Sequence, residues 1–483
     1  MKPSTQQLKI WDSIKNENLN LLVSAVAGSG KTTTITKGME LIDPLCSSLS
    51  LAYNKSIVEE LKYKTPKYVD CSTMHSLGLQ SVRRAFRKTK ISENKTKKII
   101  YSMLNSFKIK KEEEASFVYK VFRLMDLVRL HNINPLDTIL MLEFAANEDL
   151  FIGDKELEHF NKIFKKSNDL ISNEIDFTDM IYQPVRLNLD VKKYDIVFID
   201  EVQDLSVIQQ ELFKKTIKRN GKFVAVGDPN QAIYGFAGAD FNSFQKLKSL
   251  DNVKELPLSC CYRCDKSIVS FAQRLVPEIK FSETAGDGVV RNGDFDELRP
   301  GDMVLCRNNQ PIVEICLMLF SEEKKARIKG RDFGDELISM INKTNHKNLI
   351  VSKQRLERLK QKQYDLLKSF GVKSPTKTNS YKKVDEKVSI ITEVIFPRVS
   401  DTKEAVELLN KIFSDKDSKN VITLSSIHKA KGLENDRVFV AERQLMPSKF
   451  AKTDRELEQE KNLEYVCYTR AKKELIFLPP LNN

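Results

Sequence analysis

The chain has 483 residues, 41% hydrophobic and 30% charged, with 17 Gly and 15 Pro. That excludes a disordered, collagen-like or disulfide-scaffold chain, and the length predicts about three domains. The net charge of +13 is uneven: residues 83–111 hold eleven Lys/Arg against one acidic residue (Glu93), and residues 341–390 hold thirteen against four, which leaves −6 on the other 404. Two compact basic segments on a mildly acidic body predict a polyanion partner, with a solvated lysine-rich surface as the plainer reading. The longest apolar stretch, 19–27, is broken by Asn20 and Ser24 and is too short to span a bilayer. The start, MKPSTQQLKIWD, lacks a signal-peptide core. The expectation is a soluble protein of the cytosol or nucleus.

Taken in chain order, short apolar runs predict buried parallel strands at 19–26, 48–54, 194–200 and 222–228, and again at 302–308, 420–427, 436–442 and 474–479. A further strand is expected to end at VDCSTMH (69–75). Helical patterns such as LSVIQQELFKKTIK (205–218) lie between most of them, so the fold class is α/β with parallel sheets covered on both faces. Two stretches break the rhythm. Residues 83–175 are helix-rich, and residues 321–400 are basic and begin helical before an expected loop at 369–383. Both read as insertions into two α/β domains.

AVAGSGKTT (25–33) follows a predicted strand and opens a predicted helix, the context of a phosphate-binding loop. Across Ala27, Gly28, Ser29 and Gly30 the glycines let backbone N–H groups turn inward around phosphate oxygens. Lys31 reaches the β- and γ-phosphates, Thr32 can ligate Mg²⁺, and Thr33 continues the loop into the helix. Ala25 replaces the glycine that usually begins the pattern. YDIVFIDEVQD (194–204) ends an apolar strand in two carboxylates at the sheet's carboxyl edge. Asp200 can hold Mg²⁺, and Glu201 can orient or deprotonate an attacking water. Alone, that pattern also fits an acidic helix start. Together the two motifs predict an NTPase. The eight cysteines predict reduced, mostly buried thiols. Cys260, Cys261 and Cys264, with Cys306 or Cys316, are the available zinc constellation, but a single C-x-x-C without a nearby His makes it the poorer reading.

DEVQD (200–204), GDPNQAIYGFAGA (227–239), LPLSCCYRC (256–264), HKAKGLE (428–434) and YVCYTRAKKEL (465–475) follow the phosphate loop in that order. Together they resemble the UvrD/Rep/PcrA-like helicases of superfamily 1 over most of the chain outside the two insertions. IDFTDMIYQP (175–184) and the short second insertion resemble phage-encoded and F-box DNA helicase relatives more than full-length UvrD.

The resemblance implies two RecA-like P-loop domains with ATP and Mg²⁺ in the cleft between them. Domain 1A would span 1–82 and 176–255, and domain 2A 256–320 and 401–483. The helical insertion 1B would be 83–175 and the basic insertion 2B 321–400. It implies that Gln7 reads adenine, Tyr262 stacks on the base and Gln231 senses the γ-phosphate. Arg263 and Arg470 would reach the phosphates from the second domain, and Gly432 and Glu434 would contact the nucleotide. It further implies that Tyr53, Asn54, Thr73, His75, Tyr234, Phe236 and His428 face single-stranded DNA, with aromatics stacking on bases. Phe86, Tyr101 and Phe107, interleaved with basic residues, suit a strand-gripping surface. Ala237 stands where the family usually has arginine, which puts the coupling of DNA to the ATP site in doubt.

The implied activity is an ATP-dependent, 3′→5′ single-stranded DNA translocase and helicase, of use in DNA repair, DNA replication or phage replication. One alternative is a translocase that strips recombinase filaments but unwinds poorly, motivated by the short 2B and Ala237. The other is a non-motor nucleotide switch, against which Glu201, Gln231, Arg263 and Arg470 together argue. Implied partners are single-stranded DNA, single-strand/duplex junctions, and single-stranded-DNA-binding or recombination proteins; a monomer with no membrane association is expected. No 2′-OH sensor is identifiable, which leaves RNA open.

Overall fold

The computed structural model describes residues 3–52, 54–111, 113–147, 150, 152–235, 238–369, 374–413 and 420–481. It comprises two compact units, Met1–Ser259 and Cys260–Asn483. Among the described residues each unit is built on a six-stranded sheet.

In the first unit the strands are β1 (Asn20–Ala25), β2 (Ser48–Ala52), β3 (Val69–Thr73), β4 (Tyr194–Ile199), β5 (Ile217–Gly227) and β6 (Val253–Leu258). Their order is β3-β2-β4-β5-β1-β6, with every pair parallel. The period-2 geometry of a strand sends alternate residues to opposite faces. Leu22, Val197, Ile199, Phe223 and Ala225 enter a core shared with Val121, Leu124, Val128 and Phe160 of the first insertion. Leu21, Val23, Ile196, Phe198, Val224 and Val226 face the opposite side, under Ile10 and Ile14 of the helix Thr5–Asn16. Burial on both faces explains why these strands read as continuous apolar runs.

In the second unit the strands are β7 (Val289–Asn292), β8 (Met303–Cys306), β9 (Ala326–Ile328), β10 (Ile422–Ser426), β11 (Asn435–Val440) and β12 (Ala471–Phe477). Their order is β7-β12-β11-β8-β10-β9, again parallel throughout. Val304, Leu424 and Phe439 share one core with Leu337, Leu356, Val388 and Ile391, so the helices after β9 are built into the unit rather than forming a core of their own.

Three boundaries differ from expectation. VKELPL (253–258) is an edge strand beside β1, so the first unit extends to Ser259, past the expected limit of 255. Ala326–Ile328 pairs with β10, so the start of the second insertion at 321 falls too early. Residues 379–383, expected as loop, open a helix, Asn379–Ser389, because the Thr378 hydroxyl accepts from Tyr381 N–H at 3.2 Å and caps it. Within that stretch, residues 370–373 lie outside the described residues. No described helix is long and apolar enough to cross a membrane.

The first insertion is fastened to the sheet domain by buried charge. Lys95 Nζ lies 2.7 Å from Asp179, and Arg129 Nη1 lies 2.9 Å from Asp176 and 3.3 Å from Asp179. Gln183 Nε2 donates to Asp179 Oδ1 at 2.9 Å, and the Thr96 hydroxyl donates to Asp176 at 2.7 Å. Lys95, counted above as a cation on a basic surface, is therefore fully buried. Removing one partner of such a network leaves an uncompensated charge in a low dielectric. Asp179→Ala is expected to destabilise the chain by about 3–5 kcal/mol in urea unfolding. Lys95→Met combined with Asp179→Leu is expected to recover part of that loss; equal losses in the single and double variants would mean the charges are already solvated.

Candidate nucleotide-binding site

Because the first sheet is parallel and β5 lies between β4 and β1, the carboxyl ends of all three strands open at one edge. The phosphate loop leaves β1 there. Gly28 (φ 66°) and Gly30 (φ 78°) adopt left-handed backbone that a side chain would strain, and Gly30 caps the helix Lys31–Met39. The buried Ser29 hydroxyl donates to Val26 O at 2.8 Å and fixes the turn, with Ala27 fully buried beside it. A helix N-terminus and inward-turned N–H groups suit an anion.

Three carboxylates gather around one lysine. Lys31 Nζ lies 3.7 Å from Glu201 Oε1. The Thr32 hydroxyl donates to Asp200 Oδ2 at 3.2 Å, while Thr33 is exposed at the start of the helix. Glu201 has left-handed backbone (φ 55°); its N–H donates to Asp200 Oδ1 at 2.8 Å, and its carboxylate accepts from Gln203 Nε2. From the end of β5, Asp228 N–H donates to Gln203 Oε1 at 3.0 Å, and Gln231 Nε2 donates to Asp228 Oδ2 at 2.7 Å. Glu201, Gln203, Asp228 and Gln231 thus form one hydrogen-bonded chain across neighbouring strand ends. Burial pushes the Asp200 carboxyl up to about 6, with the Glu201 charge adding to the rise and Lys31 opposing it. Burial likewise pushes Asp228 up to about 6, against Lys31 and the Gln231 amide. The donor set fits Mg²⁺: two oxygen ligands, Thr32 and Asp200, sit within excess negative charge that a hard dication neutralises.

Gln7 borders the same loop. Its Nε2 donates to Thr34 Oγ1 at 3.0 Å, and its Oε1 accepts from Ser4 N–H at 3.0 Å in a capping box. A Cβ on Gly30 would come within 3.8 Å of the Gln7 amide. Trp11 Nε1 donates to Thr34 O at 2.9 Å, so the first helix is fixed to the phosphate-loop helix at two points.

The second unit assembles its own cationic group. Arg263 Nε donates to Glu434 Oε2 at 2.5 Å, and Arg263 Nη1 donates to Thr469 O at 3.2 Å. Glu434 also pairs with Lys472 at 2.8 Å, and Gly432 precedes it in an exposed, left-handed turn (φ 88°). Arg470 is almost fully buried, and its guanidinium donates to Val466 O at 3.0 Å and Leu433 O at 3.1 Å. Tyr262 is half-buried between Cys261 and Arg263.

The residues expected to face DNA are less uniform. The Asn54 side chain accepts from Ile57 N–H at 2.9 Å and the Thr73 hydroxyl accepts from Ser76 N–H at 3.1 Å, so both cap helices. Half-buried His75 lies edge-on to Phe177, with ring centres 6.4 Å apart, and burial lowers its pKa. Tyr234 is half-buried. Burial and the neighbouring Arg307 push His428 down to about 4, so its imidazole is neutral near physiological pH. Of the interleaved aromatics, Phe107 stacks on His159 at 4.0 Å and Phe86 packs against Val82 and Ile171, whereas Tyr101 is exposed. Tyr53, Phe236 and Ala237 lie outside the described residues. Asp228 and Gln203 were missed as site residues. The signal for both was present: Asp228 directly follows its strand, and Gln203 lies four residues past the end of another, at the edge carrying Lys31.

The family model of the UvrD/REP helicase N-terminal domain matches residues 5–251. The chain is 24% identical over 373 residues to "ATP-dependent DNA helicase Rep" of Buchnera aphidicola subsp. Acyrthosiphon pisum, covering 71% of this chain and 55% of that protein. It is 25% identical over 501 residues to "F-box DNA helicase 1" of Gallus gallus, covering 95% of this chain and 47% of the relative. For "F-box DNA helicase protein 1" of Schizosaccharomyces pombe the identity is 24% over 523 residues, 98% of this chain and 57% of the relative. The chain thus spans about half the length of the curated relatives it matches.

The two raised carboxyls have a thermodynamic consequence. Each is protonated at higher pH when folded than at its ordinary 3.8. The folded chain therefore binds protons more tightly, and the associated stability is full below about pH 4 and lost as pH rises through about 6. Asp200→Asn, which cannot ionise, is expected to stabilise the Mg²⁺-free protein near neutral pH by up to about 3 kcal/mol in urea unfolding, and not below about pH 4. Unchanged neutral-pH stability would mean that Asp200 is not held in a desolvated, anionic surrounding.

Proposed function

This chain belongs to the UvrD/REP helicase family, and we propose that it is an ATP-dependent DNA translocase and helicase that moves 3′→5′ along single-stranded DNA. The observation that carries the reading is the hydrogen-bonded chain from Glu201 through Gln203 and Asp228 to Gln231, built beside Lys31 at one sheet edge. A plain phosphate-binding turn has no need of it. The order of motifs through Arg470 and the names of the relatives support the same reading.

In this proposal Lys31 and the loop N–H groups hold the β- and γ-phosphates, Gln7 takes adenine and Tyr262 stacks on it. Thr32 and Asp200 hold Mg²⁺, which when bound supplies positive charge against the phosphate oxygens. Glu201, fixed by Gln203, orients the attacking water and accepts its proton. Gln231, held by Asp228, detects the γ-phosphate. Arg263 and Arg470 neutralise charge that spreads over the transferring phosphoryl group, a contribution of about 10³–10⁵ in rate. Lys31 and Glu201 belong to the first unit and both arginines to the second, so fast hydrolysis requires the units to close on the nucleotide. Arg263 must then exchange Glu434 for phosphate. That requirement couples chemistry to domain motion, and motion to steps along DNA.

Domain 1A would run to Ser259 and 2A from Cys260, with the insertions contributing basic surface to the DNA path. A second reading keeps the translocase but replaces duplex unwinding with displacement of bound protein. It is favoured by the second insertion sharing the core of its unit, which leaves little separate lobe to engage duplex. Protein displacement and strand separation, measured on matched substrates, distinguish the two.

ATP turnover is expected to rise strongly on adding single-stranded DNA, to vanish in Lys31→Ala, and to fall about 10²–10⁴-fold in Glu201→Gln. Turnover indifferent to DNA would overturn the motor. A 3′-tailed duplex is expected to be unwound in preference to a 5′-tailed one, and the reverse preference would overturn the polarity. If the basic segments contact six to ten phosphates, DNA affinity should drop about 10³–10⁵-fold between roughly 50 and 200 mM salt; a flat response would return those segments to solvated surface.

A further inference from the structure

The chain passes from the first unit to the second once, at Ser259–Cys260. The root of that passage is held from two sides. Val26 N–H, at the entry to the phosphate loop, donates to Leu258 O at 3.1 Å. Gln6 Nε2 donates to Ser259 Oγ at 2.9 Å, and Ser259 N–H donates to Gln6 Oε1 at 2.9 Å. Gln6 sits in the first turn of the helix Thr5–Asn16, beside Gln7, which grips Thr34 of the phosphate-loop helix. Both anchors of the linker root therefore belong to elements that shape the phosphate loop. The paired bonds use an amide's donor and acceptor together. Glutamate offers no donor, lysine no acceptor, and alanine neither.

We propose that Gln6 is a positioning residue that transmits nucleotide occupancy to the linker between the units. Nucleotide on Gln7 and the phosphate loop stiffens the helix start; Gln6 passes that order to Ser259; and Tyr262 and Arg263, the third and fourth residues beyond it, leave from a fixed point. The proposal rests on the nucleotide reading given above. Loosening the root is expected to leave nucleotide binding to the first unit intact while slowing DNA-driven hydrolysis, because closure no longer follows binding.

The test compares the full chain with Gln6→Ala, Gln6→Glu and Ser259→Ala. Amide hydrogen exchange is followed across 256–264 with and without the non-hydrolysable analogue AMP-PNP, beside ATP turnover with and without single-stranded DNA. The analogue is expected to slow exchange at Ser259 in the parent and not in Gln6→Ala. DNA-free ATP turnover should stay near its parental value in Gln6→Ala, while DNA-driven turnover falls about 2–10-fold, the factor that one hydrogen bond of this class carries. Gln6→Glu, which keeps only the acceptor, and Ser259→Ala, which keeps only the N–H, should fall between. An unchanged Ser259 response in Gln6→Ala, or equal loss of DNA-free and DNA-driven turnover, overturns the proposal. A parent whose turnover ignores DNA overturns the motor reading instead, and the exchange comparison still decides the clamp.

Discussion

The first unit is organised around an electrostatic imbalance. Asp200, Glu201 and Asp228 crowd about Lys31, and two of the three are buried deeply enough for their carboxyls to be pushed up to about 6. Burying like charges is unfavourable, and a fold keeps such an arrangement only where the rest of the structure over-determines it. Here the parallel order β4-β5-β1 brings the three strand ends together, and continuous apolar packing on both sheet faces holds that order. The left-handed backbone at Glu201 adds local strain to the same point. A bound dication and a polyphosphate would supply the missing positive charge and the ligands that relieve the crowding, so ligand binding and local stability are linked.

Not all of the positive charge in the first insertion lies at its surface. Lys95 and Arg129 are buried against Asp176 and Asp179, where they fasten helices of the first insertion to the helix Phe177–Arg186. Tyr101 remains exposed in the same insertion. Part of the positive charge of residues 83–111 is thus withdrawn into the joint that holds the insertion in place, and does not lie at the surface.

Much of this was legible in the sequence wherever the chemistry is local. Gly28 to Thr32 work through a strand, a turn and a helix start that are contiguous in the chain, and the Asp200–Glu201 pair ends a run whose apolar character marks a strand buried on both sides. The edge strands were not legible. VKELPL and ARI are short, carry charge or proline, and become strands only because β1 and β10 offer unpaired edges. The burial of Lys95 was equally hidden, since a charge count treats every lysine as surface. Gln203 and Asp228 were not legible there because their roles arise from contact between neighbouring strands, 25 residues apart in sequence. The side-chain capping by Asn54 and Thr73 shows a further limit: a residue named for a ligand can already be occupied by its own helix.

The second unit repeats one device of the first and shows what gives it a function. After β11, as after β4, the chain turns through a glutamate in left-handed conformation, Glu442 (φ 52°), into a three-residue 3₁₀ turn. Gln444 Nε2 donates to Glu442 Oε2 at 2.7 Å, as Gln203 does to Glu201. Ala441, however, stands where the first unit has Asp200, and Glu442 Oε1 accepts from Leu481 N–H at 2.7 Å and so ties down the C-terminal segment. The same backbone turn and the same glutamine-held carboxylate serve packing in one unit and face a lysine in the other. The turn supplies a fixed carboxylate; its neighbours, Lys31, Thr32 and Asp200 in one case and a backbone N–H in the other, decide whether that carboxylate is available for chemistry.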